Sequence, residues 1–161
     1  MEVEIRAAEV KEIDNVLKLN YELFKLEFSK YDKTFNLEWT FSDKGKKYFA
    51  DKINKDNMCL FIAISDDQTI GYLSAALYKE SEYRKAMPIM AELESFFVLE
   101  KYRNAGVGSR LFKAFCEWCK SKNVGRLRVQ ASANNIKAIE FYKKNGFNEY
   151  DLILETDIKN I

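Results

Sequence analysis

A chain of 161 residues, 47% hydrophobic and 32% charged, carries enough apolar material for one ordinary domain and enough charge to dissolve, which excludes global disorder. Its 26 basic and 25 acidic side chains leave a net charge of +1, so no nucleic-acid partner and no acidic tail is expected. Histidine is absent, which removes histidine-based triads and the commonest zinc sets, so no metal is expected; three cysteines, Cys59, Cys116 and Cys119, do not make a disulfide framework.

The opening Met1-Glu2-Val3-Glu4-Ile5-Arg6 is too charged for a secretory signal, and no apolar run spans a bilayer. A cytoplasmic location without membrane contact is the expectation. With one proline and no Gly/Ser-rich linker, residues 1–161 read as a single domain.

Residues 3–7 alternate apolar and charged side chains, a first strand. From Glu9 the apolar period lengthens to three and four residues through Val10, Ile13, Val16, Leu17, Phe24 and Phe28, an amphipathic helix. Residues 31–41 are irregular and aromatic. Ser42 is placed to cap a second helix, Asp43–Asn54, with Tyr48, Phe49 and Ile53 facing inward. Residues 59–64 form a buried strand, 65–68 a turn and 69–78 the returning strand of a hairpin. Residues 79–87 read as a charged loop and 91–99 as a central strand. A helix at Val107–Ser121, a strand at 126–131, a helix at Ile136–Lys144 capped by Asn134 or Asn135 and stopped by Gly146, and a last strand at 147–155 complete the chain. The order predicts an α/β fold with antiparallel hairpins first and a right-handed βαβ unit later.

The stretch between the central strand and the helix at Val107–Ser121 points to a ligand. Gly106 and Gly108 lie where several backbone N–H groups are left bare and parallel, an anion site that suits a pyrophosphate. No Lys-Ser/Thr pair follows the second glycine, so this is not a nucleotide P-loop. A third glycine is missing, so it is not a dinucleotide fingerprint either.

Two motifs carry a family resemblance. Arg103-Asn104-Ala105-Gly106-Val107-Gly108, after Phe96-Phe97-Val98, fits an Arg/Gln-x-x-Gly-x-Gly/Ala loop. About thirty residues on, Asn134-Asn135-Ile136-Lys137-Ala138-Ile139-Glu140-Phe141-Tyr142-Lys143-Lys144-Asn145-Gly146-Phe147 fits an Asn-x-x-Ala-x-x-Phe-Tyr-x-x-x-Gly-Phe helix and strand. Together they make the chain resemble the Gcn5-related N-acetyltransferase (GNAT) superfamily, well over 59–155 and only in outline over 1–58. The resemblance implies a mixed central sheet of six to seven strands flanked by about four helices and splayed at the central parallel pair. It also divides the domain into acceptor-side elements, 1–58, and a core sheet with an acetyl-CoA site, 59–155. Asn104 stands where the common version has glycine; asparagine tolerates a positive φ.

The resemblance further implies acetyl-CoA as co-substrate and direct transfer of acetyl to a primary amine. The N–H groups of Asn104, Ala105, Gly106, Val107, Gly108 and Ser109 are expected to cradle its pyrophosphate, with Arg103 adding charge. The strand segment containing Phe96, Phe97 and Val98 is expected to part from its neighbour at a bulge. There it receives the pantetheine arm and offers a backbone N–H near Phe97 or Val98 to the thioester oxyanion. Asn134 is expected on the pantetheine and Lys143 near a phosphate. An alkylamine has a pKa near ~10.4, so a base must take its proton. Glu94 matches the base position, acting through a water, and Glu92 has the same strand parity. Tyr142 matches the general acid that protonates the leaving thiolate. Cys116 and Cys119 lie on an apolar helix stripe and read as core.

Acceptor choice is expected from the first helices, where Tyr21, Phe24, Glu27 and Tyr31 join Glu92 as candidates, along with Trp39 and Tyr83. A polyamine-like or other small amine is slightly favoured. A peptide N-terminus stays open, as do a non-catalytic CoA-binding module and an interaction scaffold. The apolar run Asp151-Leu152-Ile153-Leu154 leaves both an internal strand and a homodimer contact open.

Overall fold

A computed structural model describes residues 2–78 and 88–161. The expected loop at 79–87, with Tyr83, lies outside the described residues. The chain divides into two compact units, Met1–Gln130 and Ala131–Ile161.

The first unit is a five-stranded open sheet in chain order: β1 (Glu4–Ala7), β2 (Met58–Ser65), β3 (Gln68–Tyr78), β4 (Met90–Val98) and β5 (Arg126–Val129). The first three pairings are antiparallel, and β4 with β5 is parallel. The β2–β3 hairpin closes through Asp66 and Asp67, both at positive φ (47° and 58°). That is the backbone twist a two-residue hairpin turn demands, and aspartate tolerates it better than most residues.

Three helices cover the sheet: α1 (Ile13–Lys30), α2 (Asp43–Asn54) and α3 (Val107–Ser121). Ser42 caps α2 as expected, its hydroxyl accepting from the Gly45 N–H at 3.2 Å. Val16, Leu17 and Leu19 of α1 and Phe49 of α2 bury against Leu60, Ile62, Tyr72 and Phe97 of the sheet. Neighbouring strand residues point to opposite faces, so Gly71 faces away from that core and toward Leu111 of α3. Val107, Leu111, Phe112, Phe115 and Cys119 form the buried stripe of α3.

The second unit holds α4 (Ile136–Lys144). Asn135, rather than Asn134, caps it; its side-chain oxygen accepts from the Ala138 N–H at 3.3 Å. Gly146, at φ 88°, ends the helix: its N–H reaches the Lys143 carbonyl and the Phe147 N–H reaches that of Tyr142.

The expectation of six to seven strands is corrected to five, with four helices, among the described residues. Residues 147–155 form no strand. Their apolar run suits a sheet, but a strand exists only through backbone pairing. Leu152, Ile153 and Leu154 stand 78%, 70% and 83% exposed. No helix among the described residues is long and apolar enough to cross a membrane.

Candidate functional site

Val98 ends β4, and Leu99 and a short turn at Glu100–Tyr102 lead to the glycine loop. Asn104 takes φ 62° and Gly106 takes φ 78°, so the loop turns back to start α3 with Gly106 as its N-cap. Asparagine therefore does carry the left-handed position for which the sequence lacks a glycine. The first helical bond runs from the Arg110 N–H to the Gly106 carbonyl at 3.1 Å. The N–H groups of 104–109 make no bond to protein among the described residues. Among the described residues, a Cβ on Gly106 would meet nothing within 4 Å, so the space beside this N-cap is open. Bare N–H groups at the positive end of a fifteen-residue helix are suited to an anion.

Arg103 is not aimed into that space. Its Nε donates to the Val98 carbonyl at 2.8 Å, and its guanidinium lies over the Phe97 ring at 5.3 Å. It acts as a latch on the end of β4.

The β4–β5 ladder runs from Met90↔Arg126 to Leu93↔Val129 and stops. On the other side β4 pairs with β3 up to Gly71↔Val98, with a register shift between Ser74↔Ser95 and Ala75↔Leu93. Glu94 is the extra residue, so it forms a bulge where the parallel partner ends. From there to Val98 no strand among the described residues lies beside β4 on the β5 side. The Leu99 N–H bonds the Ile70 carbonyl at 2.9 Å, toward β3. Antiparallel alternation then turns the Val98 N–H and C=O to the open side, as the Arg103 latch also requires. Of the two residues expected to offer an oxyanion donor, Val98 has the suitable orientation. The close approach of the strands depends on Gly71, where a Cβ would stand 2.9 Å from the Phe97 carbonyl oxygen.

The bulge breaks strict alternation, so Glu94 and Ser95 reach the α1–α2 side in succession. Glu94 Oε2 accepts from the Tyr48 hydroxyl at 2.5 Å and from the Lys52 ammonium. Tyr48 Oη lies 3.4 Å from the Ser74 hydroxyl. Ser95 meets the Tyr72 hydroxyl, which accepts from the Asn20 amide at 2.9 Å; the Asn20 oxygen accepts from Thr40 at 2.8 Å. This chain of buried polar groups ties α1 to β4 beside the bulge. Glu92 lies two places earlier, in the regular ladder between Ala76 and Arg128. Pairing puts it on the same face as Ser74, as its parity suggests, but away from the open edge.

Lys52 is 3% exposed, and its ammonium also lies 4.6 Å from the centre of the Tyr48 ring. Burial, with the Glu94 carboxylate beside it, pushes the Tyr48 phenol far above its ordinary range, so it stays a hydrogen-bond donor. Sequence reading, which put Tyr48, Phe49 and Ile53 on the inner face of α2, did not single out Lys52. The signal was present: Gly45, Phe49 and Lys52 recur at four- and three-residue steps on the buried face of α2.

Among the acceptor candidates, Phe24 stacks on Trp39 at 5.7 Å, and Trp39 meets Tyr48 edge-on at 5.6 Å. Phe24 is thereby linked to Glu94 through an aromatic row. Tyr21 instead pairs with Phe41 at 5.3 Å. Burial, and then Asp32, raises the Glu27 carboxyl above its usual value. The Tyr31 N–H ends α1 on the Glu27 carbonyl at 2.8 Å. In the second unit the Tyr142 ring lies 5.6 Å from both Phe141 and Phe147, Lys143 pairs with Glu149 at 2.6 Å, and Asn134 is exposed. The thiols of Cys59 and Cys119 are pushed up to about 12 by burial, which keeps them protonated and unreactive.

A family model for the acetyltransferase (GNAT) family matches residues 19–147. The chain is 24% identical to an N-alpha-acetyltransferase of Sulfurisphaera tokodaii, over 94% of this chain and 84% of that protein. It is also 24% identical to an aminoglycoside N(6')-acetyltransferase type 1 of Salmonella typhimurium, over 63% of this chain and 70% of that protein. In fold it is similar to the BH1408 protein from Bacillus halodurans (a tetramutant), with a TM-score of 0.82 at 16% identity over 96% of this chain and 99% of that one. It is similar also to AAC(6')-Iy, solved with the bisubstrate analogue CoA-S-monomethyl-acetylneamine, with a TM-score of 0.77 at 19% identity over 98% of each chain. The family match takes in the sheet from β2 onward, the bulge, the glycine loop and α4, and the chain therefore belongs to the acetyltransferase (GNAT) family of acyl-transferring enzymes.

Proposed function

We propose that this enzyme transfers acetyl from acetyl-CoA directly to the primary amine of a small molecule. The observation that supports this best is the coincidence at Glu94: the bulge, the end of the β5 partner and a carboxylate fall at one residue. The donor's pyrophosphate lies on the bare N–H groups of 104–109, and its pantetheine arm runs along the open edge of β4. The Val98 N–H donates to the thioester oxygen as negative charge develops on it. Glu94 Oε1 takes a proton from the amine, through a water. The nitrogen lone pair attacks the carbonyl carbon, the C–S bond breaks, and Tyr142 gives the thiolate its proton; the acetylated nitrogen then sheds its remaining extra proton, which through solvent restores the Tyr142 phenol. Asn134 contributes to the pantetheine site, and the aromatic row from Phe24 to Tyr48 forms a wall for the acceptor.

AAC(6')-Iy, an aminoglycoside N-acetyltransferase solved with a bisubstrate analogue, supports a small-molecule acceptor. A peptide N-terminus is the second reading, because the N-alpha-acetyltransferase relative aligns over more of the chain than the aminoglycoside enzyme does. The test is thiol release from acetyl-CoA with polyamines, aminoglycosides, amino acids and peptides offered in turn. We expect turnover with a small amine, and its loss in Glu94→Gln and Tyr142→Phe while CoA still raises the melting temperature. Turnover only with peptides would select the second reading. CoA binding without turnover on any amine would leave a non-catalytic CoA module.

A further inference from the structure

Lys52 is a buried cation to which the proposed chemistry assigns no role. A buried ammonium is tolerated only beside an anion. Among the described residues, the carboxylate within ion-pair distance of Lys52 is Glu94. Lys52 and Tyr48 stand one turn apart on α2, and both donate to the same oxygen, Oε2. Oε1 takes no hydrogen bond among the described residues, and the Glu94 side chain is 29% exposed. A carboxylate held by two donors at one oxygen cannot rotate freely. Its second oxygen is left in a fixed direction, at the bulge beside the open edge of β4.

We propose that Lys52 and Tyr48 are positioning residues of the acceptor site, clamping Oε2 of Glu94 so that Oε1 is presented to the amine or to the water that carries its proton. The inference rests on Glu94 being the base. Tyr48 suits the task because its phenol stays protonated, so the bond it donates persists. Lys52 suits it because its charge offsets that of Glu94 without reaching solvent. The Ser74 hydroxyl behind Tyr48 and the Trp39 ring against it hold the clamp from two sides.

The test is steady-state kinetics on Lys52→Met, Lys52→Arg and Tyr48→Phe in the full chain, each also combined with Glu94→Gln. Methionine keeps the unbranched stem, and phenylalanine keeps the ring contacts. The expected result is a kcat reduced about tenfold or more in Lys52→Met and less in Tyr48→Phe, with the KM for acetyl-CoA unchanged and most of the rate restored in Lys52→Arg. In the Glu94→Gln background Lys52→Met should cost nothing further, since there is no carboxylate left to position. Wild-type kcat in both Lys52→Met and Tyr48→Phe, with only the melting temperature lowered, would overturn the clamp. So would an equal loss with and without Glu94. If Glu94→Gln is itself fully active, the base assignment fails and the clamp with it; if only Glu94→Gln is impaired, the clamp alone fails.

Discussion

The glycine loop and the bulge on β4 lie at opposite ends of one short segment, yet they are built from different materials. The loop is made of backbone: its donors are N–H groups, and its side chains are small or, as with Arg103, turned away onto β4. The bulge is made of side chains: Glu94, Tyr48, Lys52 and Ser74 come from three elements and meet in one hydrogen-bonded group. A backbone site suits a ligand part common to every turnover, because peptide groups are present whatever the sequence. A side-chain site suits the part of the reaction where proton transfer and acceptor choice must be tuned. The two should therefore fail separately when altered.

The largest effect is expected at the side-chain site. Glu94→Gln keeps the shape and the bond from Tyr48 but removes the base, and kcat should fall by about 10²- to 10⁴-fold in the thiol-release assay. Next comes the loop. Gly106→Val places a branched side chain at φ 78°, a left-handed conformation that it disfavours, so the loop should lose its shape and CoA affinity measured by titration should drop about tenfold or more. Gly71→Ala touches neither group directly. It sets a methyl 2.9 Å from the Phe97 carbonyl oxygen, and the expected cost is about 1–3 kcal/mol, read as a melting temperature lower by about 2–4 °C per kcal/mol.

The smallest effect separates the core from both sites. Cys59 and Cys119 have thiols raised from the ordinary 9.0 to about 12, so the folded state holds their protons where the unfolded state has lost them. Their contribution to stability is complete below pH 9 and is lost as pH rises toward 12. Melting temperature should decline more steeply above pH 9 in the wild type than in Cys59→Ala, while turnover of Cys59→Ala at neutral pH stays unchanged.

The same contrast explains what the sequence made legible. The conformation of the glycine loop was readable because local backbone conformation is written in consecutive residues. Asp43–Asn54, Val107–Ser121 and Ile136–Lys144 fall where cap residues and apolar period put them, for the same reason. The helix period of α2 could have shown that Lys52 is buried, but not that it belongs to the site. Its partner lies forty-two positions away, and only the tertiary fold brings α2 over the bulge. The Asn20–Tyr72–Ser95 chain was hidden likewise, being a pairing of α1, β3 and β4. The last strand misled because an apolar run reports only a preference for burial; it cannot supply the neighbouring backbone that a strand requires.

One measurement addresses this division most directly: calorimetric titration of CoA into wild type, Glu94→Gln and Gly106→Val, with thiol release followed on the same samples. The account predicts that Glu94→Gln binds CoA as wild type does but turns over far more slowly, and that Gly106→Val loses CoA affinity. A Glu94→Gln protein that binds CoA as poorly as Gly106→Val, or that releases thiol at the wild-type rate, would contradict it.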